Sequence, residues 1–327
     1  MLPKQNSAML ICSIVLLLTA AMISPAYAHN ALSVNLPPQV TSGAVRVDQM
    51  DKLQDGRLRA ERNGVVVDLP SKSSESVRVA SKHSRIDITL PSAKRASKSL
   101  TSPQGFATFD NLDGSATSSV LKDDGSLQIV TTISSSAAPT AYTYDLSLEP
   151  GSILKALEEG AVAIFGADGG FRGGFATPWA KDADGVEVAT RYVIEGNRLV
   201  QIVEHRDEGI RYPVTADPWL GQNLYRSAWV TFVPRGYKVN AQPTAWGAAF
   251  SGPVTWGAHV DELRTKLGID SWRMTDSVKE QLYCHLAGVP ASLWEFNMES
   301  WRPIMNWATQ APWNCNYPEG GWGSWYN

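Results

Sequence analysis

The chain has 327 residues, with 29 basic and 32 acidic side chains and a net charge of −3 when histidine is neutral. A balance so close to neutral does not suggest a polyanion partner, so no nucleic acid is expected. The length exceeds the single core of about 100 to 200 residues that one domain usually builds, so more than one domain is expected.

The first element in chain order is a leader. Lys4 supplies a positive charge, Met9 to Ala21 is an almost uninterrupted apolar run, and Ala26-Tyr27-Ala28 places small residues where a signal peptidase reads. This pattern predicts a signal peptide over residues 1–28, cleaved after Ala28, and a mature chain that starts at His29 and is secreted or displayed at the cell surface. The apolar run is short for a membrane span, and no later segment approaches about 18 consecutive apolar residues, so no transmembrane anchor is expected after cleavage. Cys12 lies inside the apolar run without the small residues that precede a lipoprotein cysteine.

Residues 29–63 mix Pro37-Pro38, Asp and Arg without a sustained period, which predicts an irregular arm. From Gly64 to Pro218, β-type runs follow one another at Val65–Val67, Val77–Ala80, Ile86–Leu90, Leu127–Ile133 and Tyr142–Leu148. Asp113-Gly114, Asp124-Gly125, Asp168-Gly169 and Gly196-Asn197 punctuate this part as turns, the last joining Val188–Ile194 to Leu199–Val203 in a hairpin. An all-β, sandwich-like domain over 64–218 is the expectation. Ser152–Glu159 reads equally as a short helix or as a strand paired with Ala161–Phe165. Seven basic residues between Lys72 and Lys98 read first as a solvated strand face, and only secondarily as a contact for an anionic cell wall or membrane.

Composition changes near Pro218, since eleven of the twelve tryptophans lie between Trp219 and Trp325. Residues 219–327 predict a small α+β domain. Arg226–Val233 is its first strand, and Ala258–Leu267 is a helix stopped by Gly268. A second helix is capped by Thr275 or Asp276, carries Val278, Leu282 and Leu286 on one face, and ends at Gly288 and Pro290. Leu293–Glu299 alternates, which predicts a strand with Trp294, Phe296 and Met298 inward and Glu295, Asn297 and Glu299 outward. After cleavage only Cys284 and Cys315 remain, an even pair that is most simply a disulfide in an exported chain. Closing such a loop stabilises a fold by about 3 to 4 kcal/mol on the chain-entropy account. The fold class is thus multidomain: an all-β amino-terminal domain and a small, disulfide-containing α+β carboxy-terminal domain.

Along Gln281-Leu282-Tyr283-Cys284-His285, Trp294-Glu295-Phe296-Asn297-Met298-Glu299, Trp301-Arg302-Pro303 and Cys315-Asn316, the last hundred residues resemble the secreted bacterial family termed domain of unknown function 2599. That resemblance implies a fold unit and nothing catalytic. Ala176-Thr177-Pro178-Trp179-Ala180-Lys181-Asp182-Ala183-Asp184-Gly185 and Tyr212-Pro213-Val214-Thr215-Ala216-Asp217-Pro218-Trp219 resemble a leader module of exported actinobacterial proteins. This second resemblance implies delivery or surface presentation, with the specific activity after Trp219.

No G-x-S-x-G, H-E-x-x-H, G-x-x-x-x-G-K-[ST] or G-x-G-x-x-G pattern occurs, and His259 and His285 make no metal-ligand spacing, so neither cofactor nor metal is expected. The glycines at 166, 169, 170, 173 and 174 read as a crowded loop. Catalytic candidates are His285 with Glu295, Glu299 and Arg302, because an imidazole and a carboxylate within hydrogen-bond reach suffice for acid and base work. The competing reading makes His285 a buried, bonded imidazole and Glu299–Arg302 a local ion pair. Ligand-binding candidates are Asn297 and the indoles of Trp313, Trp322 and Trp325, which could stack on sugars. The expectation is a non-catalytic extracellular or cell-surface module for a cell-wall polymer or surface protein. The alternative is a secreted effector or toxin whose carboxy-terminal domain is a small hydrolase-like enzyme delivered by the β-rich half.

Overall fold

A computed structural model describes residues 34–288 and 295–316 of the chain. The leader, the cleavage point and His29, and the tryptophans at 294, 322 and 325, lie outside the described residues.

Alternation builds the first layer. Ile86 and Ile88 point inward while Arg85 and Asp87 point out, and Tyr142, Tyr144 and Leu146 alternate with Ala141, Thr143 and Asp145 in the same way. These strands lie in an eight-stranded antiparallel sheet ordered Asp51–Lys52, Leu58–Arg62, Val65–Leu69, Val77–Ala80, Arg85–Thr89, Ala141–Ser147, Arg198–Val203 and Thr190–Glu195. The hairpin between its last two strands turns at Gly196-Asn197, with Glu195 opposite Arg198. On the outer face, Arg59, Asp68, Arg78 and Asp87 sit side by side on four successive strands. Arg59 grips Asp68 in a bidentate pair at 2.6 and 2.7 Å. The basic run from Lys72 to Lys98 therefore contributes to a ladder of alternating sign.

The second sheet runs Ile153–Ala156, Val162–Phe165, Phe171–Phe175, Trp219–Gly221, Leu127–Ile133, Ser115–Leu121, Ala107–Asp110 and Leu100–Thr101, with Trp179–Lys181 and Val214–Asp217 attached beside Leu127–Ile133. Leu127, Ile129 and Ile133 pack with Phe109 and Leu121 against the inward residues of the first sheet. This is a β-sandwich. Of the two readings for 152–159, the strand is the one formed, with Ile153–Ala156 paired to Val162–Phe165.

Residues 34–62 are not the irregular arm that their composition predicts. Leu58–Arg62 is a strand of the first sheet, and Val34, Leu36, Val40 and Val45 are buried. Lys122 pins the segment by donating to the carbonyls of Val40 and of Ser42, the latter at 3.0 Å, and Gln104 bonds both backbone groups of Leu36. Side chain to backbone ties of this kind leave no period in the sequence.

Beyond the sandwich, Tyr225–Val233, Gly236–Pro243 and Phe296–Glu299 form a three-stranded sheet, with helices Trp256–Leu267 and Asp276–Gly288 packed against it. The strand at 219–221 still belongs to the sandwich, so the architecture changes a few residues after the composition does. The two cores share a wall. Val162 and Ile164 face the sandwich interior, whereas Ala161 and Ala163 face the second core with Leu224, Trp246 and Phe250. A β-carbon on Gly221 would sit 2.1 Å from the Trp246 ring, so glycine there lets the indole lie flat on the strand. Cys284 and Cys315 are joined, with Cα atoms 5.4 Å apart. Among the described residues no helix is long and apolar enough to cross a membrane.

Candidate functional site

Phe296–Glu299 is an edge strand, paired on one side to Gly236–Pro243 with Asn297 opposite Asn240 and Glu299 opposite Lys238. Its free side faces the Asp276–Gly288 helix, whose residues 277, 281 and 285 recur every four positions and so share one face. Ser277 donates to the Arg302 carbonyl at 2.8 Å. The Gln281 amide accepts from Glu299 N at 2.7 Å and donates to Glu299 O at 3.0 Å, the way a neighbouring strand would. His285 bonds the Asn297 carbonyl and stacks on Phe296 at 5.0 Å. Burial pushes the His285 pKa down to about 4 and leaves Nε2 without a partner among the described residues. The polar side chains of this helix close a sheet edge that would otherwise expose backbone groups.

Phe296 and Met298 turn inward as expected, while Glu295 is exposed, Asn297 half-buried and Glu299 buried. Glu299 is held between Arg302 at 2.6 Å and Lys238 at 3.0 Å, and the Lys238 ammonium lies 5.7 Å from the Trp301 ring centroid. The strand separates this ion cluster from His285, which rests on the inward ring of Phe296. The geometry thus places the imidazole and the Glu299 carboxylate on opposite sides. Trp313 is half-buried in the turn before Cys315.

No protein-family model and no curated protein matches the chain. The surface carries a cleft of about 250 Å³ where both cores meet. Its walls are the Ser81–Ser84 turn, Gly170 with the start of the Phe171–Phe175 strand, Gln222-Asn223, and Ala258 to Thr265 on the Trp256–Leu267 helix.

Arg172 is set in place by the glycines around it. β-Carbons on Gly166 and Gly170 would stand 2.8 and 2.6 Å from its guanidinium, so the side chain lies flat on bare backbone. Nη2 pairs with Asp168 at 2.6 Å, yet Nε is buried with no partner among the described residues. Gln222 is 7% exposed, and its Oε1 is likewise buried without a partner. Glu262 on the facing helix accepts from the amides of Leu224 and Tyr225 at 2.7 and 3.0 Å, and burial raises its pKa. The sequence reads these glycines as a crowded loop, but Gly173 and Gly174 lie in the Phe171–Phe175 strand, and only the fold shows that Gly166 and Gly170 make room for an arginine.

A second hollow, near Trp179 and Trp219, is walled by Lys122 and Gln128. Here the two segments of the leader-like resemblance pair with each other, Trp179 opposite Asp217. Asp217 accepts from Gln128 at 2.6 Å, and burial pushes its pKa up to about 7. Lys122 is pushed down to about 8 by the same cause, and its ammonium is committed to backbone carbonyls. These groups serve the sandwich and its amino-terminal segment.

Proposed function

We propose that the chain is an exported, non-catalytic binding module whose ligand occupies the cleft between the sandwich and the Trp256–Leu267 helix. The observation that carries this reading is a pair of buried hydrogen-bonding atoms, Arg172 Nε and Gln222 Oε1, left unpaired in residues that wall an open cleft. An unpaired buried donor or acceptor costs about 1 to 3 kcal/mol, which a ligand that bonds it recovers. The leader pattern and the Cys284–Cys315 bridge support export, since disulfides persist in oxidising compartments. On this reading, the segments that resemble the domain-of-unknown-function family hold the edge of the small sheet, and the leader-like segments brace the sandwich. The effector alternative draws no support from His285, which is bonded to backbone and has its pKa pushed down to about 4.

Equilibrium dialysis of the mature chain against a soluble digest of bacterial cell wall, read by mass spectrometry, tests the proposal. Fragments retained unchanged by the wild type and lost in Thr265→Trp, which plugs the cleft mouth, are expected. Fragments that are cleaved, or retained equally by both proteins, would contradict it.

A further inference from the structure

The chemistry of the cleft goes further than its volume. Resting on the binding reading above, we infer that the ligand is a neutral carbohydrate, recognised through adjacent hydroxyl groups. The two unpaired atoms are of opposite kind: Arg172 Nε can only donate, and Gln222 Oε1 can only accept. A hydroxyl group is both donor and acceptor, so a sugar can answer atoms of both kinds. A carboxylate can answer only the arginine, and an ammonium only the amide.

Charge points the same way. The Arg172 guanidinium is already neutralised by Asp168 at 2.6 Å, and the opposite wall carries Asp261 and Glu262. An anion entering the cleft would meet those carboxylates without a free cation to offset them. A cation would find Glu262 already accepting from two backbone amides and paired with Lys266 at 3.7 Å. The rest of the lining suits a polyol, since Ser81, Ser84, Thr265, Asn223 and the exposed His83 are all polar. Phe171 adds an apolar surface, held in place by tilted packing on Phe250 at 5.6 Å and stacking on Trp246 at 6.2 Å. Polar groups around one aromatic face are what a sugar ring, apolar on its C–H face and polar at its rim, requires.

Calorimetric titration of the mature chain tests the inference. The probes are methyl glycosides of glucose, mannose, galactose and arabinose, together with N-acetylglucosamine, and the comparison arms are glucuronate, inorganic phosphate and a set of dipeptides. At least one neutral sugar should bind saturably at one site. Binding should weaken roughly ten-fold or more in Thr265→Trp and in Gln222→Leu, about 1.4 kcal/mol or more, and should be unchanged in Glu295→Gln. Circular dichroism checks that Gln222→Leu is folded, and Thr265→Trp, at an exposed position, gives the answer independently if it is not. Dipeptide or anion binding that Thr265→Trp abolishes, with no sugar binding, would overturn the carbohydrate assignment and leave the cleft reading standing. No binding by any probe, together with no cell-wall fragment retained in dialysis, would overturn both.

Discussion

The sandwich and the three-stranded sheet manage their strand edges differently. In the eight-stranded sheet, one outer strand is the two-residue, fully charged Asp51–Lys52, and the other, Thr190–Glu195, carries Arg191 and Glu195 outward. Charge and shortness keep such edges from pairing with other chains. The small sheet instead covers its Phe296–Glu299 edge with Ser277, Gln281 and His285 from one helix, then fastens that helix through Cys284 to Cys315. A region too small for a large core spends its polar side chains on scaffold. Dense polar and aromatic motifs in such a region therefore mark architecture, and the ligand site is better sought where the two regions meet.

Removing the joint should have the largest effect. Trp246 is fully buried and stacks on Phe250 at 4.7 Å. Trp246→Ala should cost about 3 to 5 kcal/mol in urea unfolding, the range for emptying a large aromatic site. If the comparison is right, native-state hydrogen exchange in this variant will rise across 225–288 more than across 115–133. Uniform loss of protection would mean that the two regions stand or fall together.

Cutting the staple comes next. Cys284→Ser should lower stability by about 2 to 4 kcal/mol, while the wild-type, non-reduced digest shows the 284–315 crosslink by mass spectrometry. A smaller step isolates the edge cap: Gln281→Leu strands the amide and carbonyl of Glu299, and should cost about 1 to 3 kcal/mol in chemical denaturation. A cost near zero would show that the strand edge needs no cover.

Stability should also depend on pH through a histidine buried in the second core. His259 is fully buried between the Tyr225 hydroxyl at 2.8 Å and the Phe250 carbonyl at 3.0 Å, and burial lowers its pKa from 6.5 to about 4. Below pH 6.5 the unfolded chain takes up a proton that the folded chain refuses. The stability it allows is therefore complete above that pH and lost as pH falls towards 4. Asp217, raised to about 7, acts in the opposite sense over much of that window, so the overall slope is not the readout. His259→Gln should flatten the decline between these pH values relative to wild type. The smallest effect expected is that of Glu295→Gln, an exposed position, at under about 0.5 kcal/mol.

Much of the fold was legible in the sequence. Val77–Ala80 and Leu127–Ile133 form over the residues where their composition places them, and the Gly196-Asn197 hairpin and the disulfide follow from turn chemistry and cysteine arithmetic. Alternation also places Phe296 and Met298 correctly. It fails for Glu299, because strand period says which face a side chain leaves from and not what lies over that face; Arg302 and Lys238 do. Residues 34–62 were illegible for a similar reason, being held by Lys122 and Gln104 from distant strands. The cleft was hidden most completely. Arg172, Gln222 and Glu262 belong to three separate segments, and nothing local to any of them announces the others.

Where a ligand sits separates the cleft from the small sheet as the binding site. Backbone amide shifts of the mature chain, followed by nuclear magnetic resonance during titration with the neutral methyl glycosides, decide it most directly. The structure predicts shifts clustered at Ser81–Ser84, Gly170–Arg172, Gln222-Asn223 and Ala258–Thr265. Shifts clustered instead around His285, Glu295 and Glu299 would contradict it.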